Sequence, residues 1–206
     1  MIAIIDYGAG NLRSVANAVA CLGYRAVVSG NPNDILKADA VILPGVGAAA
    51  DTVSSLKRHG LDNALREIVA RGTPLFAVCV GLQVLFEDTT EGSGCPCLGL
   101  IEGRVKLLPS DGLKVPHMGW NNVRQLKTHP LFEGVSDDSY FYFVHSYYAE
   151  PADPTVVIGQ TSYGLDFASM VESGSIIATQ FHPEKSGPAG LKIYDNFLKT
   201  ALRGSR

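Results

Sequence analysis

Leu75-Phe-Ala-Val-Cys-Val-Gly-Leu-Gln83 runs from four apolar residues through a cysteine and a Val-Gly pair into the helical spacing of Leu82, Leu85 and Phe86. A short continuous apolar run suits a strand buried on both faces of a parallel sheet, and the change of period after Cys79 marks a sharp strand-to-helix turn. A nucleophile on such a turn needs small residues two places before and two places after it, so that the backbone can fold back tightly. Ala77 and Gly81 meet that need. This predicts Cys79 exposed at the carboxyl edge of the sheet, with the N–H groups and dipole of the following helix favouring its thiolate. The same residue would also be at home as a small core side chain, because free cysteine is among the most buried residue types.

A second stretch, Ile176-Ile-Ala-Thr-Gln-Phe-His-Pro-Glu184, bears on that choice. It brings His182 to the end of another apolar strand, with Glu184 two residues on and Pro183 stiffening the turn. Of the five histidines, only His182 closes a strand and has a carboxylate two places beyond it. Taken alone, a histidine is more often structural. Paired with the Cys79 turn, it can accept the thiol proton and hand it to a leaving amine, while Glu184 holds the ring's tautomer and steadies the imidazolium. The distance along the chain is no obstacle, since such triads meet in space.

Leu43-Pro-Gly-Val-Gly-Ala48 follows a buried strand and precedes a helix, so its glycines allow backbone N–H groups to face a ligand. Attack on an amide builds negative charge on the carbonyl oxygen. Fixed N–H groups of Val46 or Gly47, and of Val80, would hold that charge at ~3 kcal/mol per donor; a plain strand-to-helix turn is the other reading of the segment. Asp6-Tyr-Gly-Ala-Gly-Asn11 has part of a dinucleotide fingerprint, but Arg13 stands where the third glycine belongs. The second strand also ends in Ser29-Gly30 without an acidic residue. No cofactor is expected.

Working outward, Ile2-Ala-Ile-Ile-Asp6, Ala26-Val-Val28, Ala40-Val-Ile-Leu43 and Leu75–Val78 alternate with helical periods over Leu12–Leu22 and Val53–Ala70. That βαβαβαβ order predicts an α/β fold: a flavodoxin-like, right-handed doubly wound and mostly parallel sheet. From about Leu100 to Ile177 the pattern turns to Gly- and Pro-punctuated strands, including Tyr140–Val144, Val156–Ile158 and Ile176–Gln180, which read as mainly antiparallel additions in the second half. A last helix is expected over Ala189–Leu202, ending before Gly204. The 206 residues, 46% of them hydrophobic, are expected to form a single domain spanning 1–206.

The 17 basic and 20 acidic residues leave a net charge of −3 without a basic stripe, which excludes nucleic acid as the main partner. No leader pattern opens the chain and no apolar run is long enough to cross a membrane, so a soluble cytoplasmic protein is expected. The four cysteines are too few and too uneven for a disulfide framework. Cys95-Pro-Cys97 lacks the second pair that a zinc site would require, and no metal is expected.

Together with Ile4–Ser14, Pro116-His-Met-Gly-Trp-Asn121, Phe143-Val-His-Ser-Tyr147 and Gln180–Ser186, these segments resemble the class I (triad) glutamine amidotransferases essentially end to end. Within that family the resemblance is to the glutaminase subunits that dock on a (β/α)₈-barrel cyclase of histidine biosynthesis. It implies hydrolysis of L-glutamine by Cys79, His182 and Glu184 when the cyclase subunit is engaged, and passage of ammonia through the barrel to an aminoimidazole carboxamide ribonucleotide precursor. It further implies that Gln83 and the backbone around His145, Ser146 and Tyr147 hold the glutamine with Gly47 against it. Trp120, Asn121 and Tyr142 would lie near the cyclase interface. The family more often has Gly-Ile-Cys-Leu-Gly-Met-Gln at the nucleophile, whereas this chain has Ala77 and Val80. A β-branched Val80 stiffens a peptide whose N–H would have to turn toward the carbonyl, so a low resting glutaminase rate is expected. An amidotransferase for pyridoxal phosphate, purine or anthranilate synthesis, a catalytically silent flavodoxin-like interaction module, and a general cysteine hydrolase are the competing expectations.

Overall fold

A computed structural model describes residues 1–110 and 112–203. The first half comprises β1 (Ile2–Ile5), α1 (Leu12–Cys21), β2 (Ala26–Ser29), α2 (Pro32–Leu36), β3 (Ala40–Leu43), α3 (Ala49–Arg58), α4 (Leu61–Ala70), β4 (Leu75–Val78) and α5 (Val80–Gln83). The second half adds β5 (Asp88–Thr89), β6 (Cys95–Pro96), β7 (Gly103–Leu107), β8 (His117–Gln125), β9 (Ser139–His145) and β10 (Tyr147–Pro151). The chain continues with β11 (Val157–Ser162), β12 (Asp166–Ser173), β13 (Ile176–Thr179) and α6 (Gly187–Arg203).

The parallel core has the order β2-β1-β3-β4-β13, the flavodoxin-like arrangement with β13 as its fifth strand. Every residue of β1, β3 and β4 is buried, as is every residue of β13, which is what an apolar run without alternation requires. The edge strand β2 departs from that expectation. Val27 and Val28 are 44% and 42% exposed, β2 being the end of the sheet among the described residues. The other departure concerns β13. Grouped by pattern with the antiparallel strands, it pairs in parallel with β4 and turns its other side to antiparallel β12. From β7 on, the other strands form the expected antiparallel additions: β10 pairs with β7 and β12, β11 with β12 and β8, and β8 with β9, while β5 pairs in parallel with β7.

Two helix readings also change. The Val53–Ala70 period is two helices, because Gly60 takes φ +68 and breaks the run between α3 and α4. The short α2 carries its own start signal, Pro32 at its first position and the Asn31 side chain accepting from Asn33 N–H, but is too brief to show a period. The chain is in a 3₁₀ turn through Val156 and joins β11 only at Val157. The expected stop of the last helix at Gly204 lies outside the described residues.

What places the site is the register of three strand ends. Leu43 pairs with Ala77, and Ala178 with Ala77 from the other side, so β3, β4 and β13 finish together at one edge. The turns that follow then crowd each other, and glycine is what lets them fit. A Cβ on Gly45 would stand 2.0 Å from Gly81 N, and one on Gly81 would stand 2.6 Å from Leu43 O. Beneath them Phe76 is sealed by Tyr194 and Phe197 of α6, with ring centroids at 5.0 and 5.1 Å. Full burial of a side chain of this size is worth roughly 1.5–3 kcal/mol.

Gly45→Ala is therefore expected to destabilise the chain by upwards of ~4 kcal/mol, since backbone rather than a movable side chain is in the way. Gly72→Ala, at φ +75 with nothing within 4 Å, should lose only ~1–2 kcal/mol from its left-handed backbone. Urea denaturation of the two variants separates the effects. Equal losses would show that the close approach at Gly45 does not constrain the fold.

Candidate active site

At the end of β4 the backbone turns sharply, and Cys79 takes φ +54 and ψ −111, a conformation that side-chain-bearing residues rarely hold. Two hydrogen bonds impose it: Cys79 N–H donates to Thr179 O at 2.7 Å, and Gln83 N–H donates to Cys79 O at 3.1 Å. The nucleophile turn expected from Ala77 and Gly81 is thus formed, with two corrections. Helix α5 is a single turn, Val80–Gln83, with Leu85 and Phe86 beyond it. The helix dipole expected at the sulfur is therefore that of one turn. Nor is Cys79 exposed: it is 3% accessible, because the β9–β10 connection lies over it and Val144 O sits 3.8 Å from Sγ.

His182 follows β13 and is held from both sides. Its N–H donates to Tyr142 O at 3.0 Å, and its Nδ1 meets Glu184 Oε1 at 2.8 Å with both side chains buried. Tyr194 OH approaches the other Glu184 oxygen at 3.5 Å. Nε2 is buried and has no hydrogen-bond partner among the described residues, a state common at such sites before substrate binds. Burial pushes the imidazole pKa down, but the nearby Cys79 sulfur as thiolate and the hydrogen-bonded Glu184 carboxylate outweigh it and raise it to about 9. The pull of Cys79 on the ring is that of its thiolate, so imidazolium and thiolate stabilise each other as a pair.

Cys79 and His182 open onto a cavity of about 410 Å³. Val46, Gly47 and Val80 line it, as do Gln83, His145, Ser146 and Tyr147, so the expected oxyanion and substrate residues are gathered at one place. Gly47 is at φ +91, where its glycine identity is needed. Gln83 is already engaged: its Nε2 donates to Tyr147 O at 2.8 Å and to Gln180 Oε1 at 3.1 Å. His145 is engaged as well, with Nδ1 on Tyr147 O at 2.8 Å and Nε2 on His117 Nδ1 at 2.9 Å. Burial lowers His145 to about 3 and His117 to about 4, so both rings are neutral at pH 7.

Trp120, Asn121 and Tyr142 lie away from this cavity on the β8–β9 pair. Trp120 and Tyr142 are register partners with centroids 6.2 Å apart. With Met118 at 63%, Trp120 at 56% and Tyr140 at 62% exposure, that face is an apolar patch. Met118 and Tyr140 were not anticipated. The Asn121 side chain points to the other side of the strand from Trp120: its Nδ2 is within 3.3 Å of His117 Nε2 and donates to Ser162 O at 3.1 Å.

Two further residues escaped the sequence reading. Glu91 lines the cavity with Oε2 accepting from Ala49 N–H at 2.6 Å, and Gln180 places its Nε2 3.7 Å from Cys79 Sγ. Glu91 belongs to the β5–β6 turn, where no periodicity marks it. Cys95 and Cys97 lie apart from the site; burial pushes the Cys97 thiol up to about 12, and its Sγ is 3.9 Å from Cys95 O. Among the described residues no group of three or more His, Cys, Asp and Glu side chains is placed to hold a metal, and no helix is long and apolar enough to cross a membrane.

The raised His182 value has a sign that can be tested. A histidine whose folded pKa exceeds its ordinary 6.5 contributes stability that is fully present below 6.5 and lost as pH rises through about 9. NMR titration of the His182 ring should give a midpoint near that upper value, moving down toward 6.5 in Cys79→Ala and in Glu184→Gln. An unshifted midpoint in the unsubstituted chain would refute the ion-pair description.

Known proteins match this geometry and its sequence. The glutamine amidotransferase class-I family matches residues 3–201. The imidazole glycerol phosphate synthase subunit HisH of Dehalococcoides mccartyi is 59% identical over 202 residues, 98% of each chain. The subunit of the same name from Moorella thermoacetica is 50% identical over 95% of this chain and 93% of its own. Among solved structures, a glutamine amidotransferase superposes with TM-score 0.77 at 22% identity over 98% of this chain and 99% of that one. PurLQS from Thermotoga maritima gives 0.77 at 18% identity over 97% of each, and both structures bear on the fold alone. Covered almost from end to end by the family, the chain belongs to the class-I glutamine amidotransferases.

Proposed function

We propose that this chain, acting as one amidotransferase domain in the cytoplasm, is the glutaminase subunit of imidazole glycerol phosphate synthase. It hydrolyses L-glutamine to glutamate and ammonia and delivers the ammonia to a (β/α)₈-barrel cyclase subunit in histidine biosynthesis. The observation that carries the reading is the buried Cys79, His182 and Glu184 set opening on a cavity of amino-acid size, in a chain whose full-length relatives bear that subunit's name.

Cys79 Sγ, as thiolate, attacks the side-chain amide carbon, and the developing oxyanion is held by N–H groups of Val46 or Gly47 and of Val80. His182 passes its proton to the departing ammonia, leaving a thioester on Cys79. It then deprotonates the water that releases glutamate. Glu184 keeps Nδ1 protonated throughout. Glu91, the acidic side chain lining the cavity, is suited to the substrate's ammonium group. The Met118, Trp120, Tyr140 and Tyr142 face has the aromatic and methionine content of a docking surface, and it supports the cyclase as partner. In the free chain the thiol rests on Val144 O, which supports a low resting rate.

The test is ammonia release from glutamine by the purified chain, alone and with the barrel cyclase carrying its ribonucleotide ligand. Little release alone and a large rise with the partner are expected. Cys79→Ala should be inactive in both, and Glu184→Gln should lose roughly 10³–10⁴-fold in kcat through the wrong tautomer. No rise with the cyclase would point to a different acceptor enzyme.

Glu91→Gln is expected to raise KM for glutamine roughly 10–100-fold with kcat largely kept, as befits a lost charge-assisted contact made equally in ground and transition states. A fall in kcat at unchanged KM would remove Glu91 from ammonium recognition.

A further inference from the structure

Gln180 stands inside the Gln-Phe-His-Pro-Glu-Lys-Ser run, two residues before His182, yet neither the triad nor substrate contact accounts for it. It is 0% exposed, and a buried amide must have its donors and acceptor met. Its two contacts fix which way the amide faces. The Gln83 atom nearest Gln180 also lies 2.8 Å from Tyr147 O, a carbonyl that can only accept, so that Gln83 atom is the nitrogen. The Gln180 atom 3.1 Å from it must then be the oxygen, which turns Gln180 Nε2 to Cys79 Sγ at 3.7 Å.

The sulfur therefore has two neighbours of opposite preference. Val144 O, at 3.8 Å, can only accept and so favours the protonated thiol. The Gln180 N–H can only donate toward sulfur; a thiol sulfur is a weak acceptor, whereas a thiolate is a charged and stronger one. We infer that Gln180 is a positioning residue for the nucleophile, its amide held by Gln83 so that one N–H stabilises the Cys79 thiolate whenever it forms. This rests on Cys79 being the nucleophile, as proposed above. The thiolate forms twice in the cycle: before attack, and again when the thioester is hydrolysed and sulfur leaves. One donor serves both.

The titratable groups around the sulfur are His182 with Glu184 after β13, His145 on β9, Tyr7 after β1, and Glu91 across the cavity. Gln180 does not titrate. Its removal should slide the pH dependence of thiolate formation along the axis without changing its form, whereas removal of His182 takes away a titrating partner and alters the form itself.

The experiment is the rate of iodoacetamide alkylation of Cys79 in the full chain as a function of pH, read by mass spectrometry of the Cys79 peptide so that Cys21 and Cys95 do not contribute. Gln180→Met keeps the length and removes the donor; Gln180→Leu removes it with a branched apolar side chain, and neither adds a titrating group. Both are expected to move the rise in rate to higher pH by about one unit, roughly tenfold slower at neutral pH, with the same limiting rate at high pH. Thermal melting identifies which variants are folded, and either one suffices. A profile that overlays the unsubstituted chain in a folded variant overturns the inference. Because alkylation needs neither glutamine nor the cyclase, failure of the glutaminase assay would count against the proposed reaction and leave this result standing.

Discussion

The hydrogen bond from Cys79 N–H to Thr179 O, 2.7 Å long, is the constraint on which the rest of the site depends. It continues the parallel pairing of β4 and β13 one residue past the strand end, and so ties two segments a hundred residues apart at the level where each leaves the sheet. One consequence is the positive φ of Cys79: the peptide cannot relax without breaking the pair. Another is that the loop carrying His182 and Glu184 starts beside the sulfur. A third is crowding, which only the glycines at 45 and 81 relieve. Strain at Cys79 is thus borne by the surrounding sheet rather than by the turn itself.

How much of this was legible in the sequence depended on how local the cause was. Cys79 and His182 could be found because each follows an apolar strand, and Glu184 because it stands two residues beyond His182. The core strands β1, β3 and β4 were legible for the same reason. The break at Gly60 was not, because helical spacing of apolar residues lies on both sides of it and a lone glycine is tolerated inside such a pattern; the backbone conformation at Gly60 ends the first helix. The parallel partnership of β13 was hidden because an apolar four-residue strand carries no mark of direction.

The burial of Cys79 was missed for a tertiary reason. Its cover comes from Val144 to Tyr147, more than sixty residues away, and nothing near Cys79 announces it. Glu91 and Gln180 share that character: each acquires its role from a contact across the fold, in one case with Ala49 N–H and in the other with Gln83 and the sulfur. Asn121 shows the converse. The resemblance set it beside Trp120 near a partner, but successive residues on a strand point to opposite sides, and the Asn121 side chain faces His117.

The His117–His145 pair bears on the fate of the product. Each imidazole is held as a neutral ring, one N–H donated inward and one lone pair filled, and burial keeps both far from taking up a proton near pH 7. That side of the cavity thus offers neither acid nor buffer. Ammonia released there meets no proton source among these rings, and it can leave as the uncharged base with its lone pair intact, the only form in which it is a nucleophile for whatever receives it.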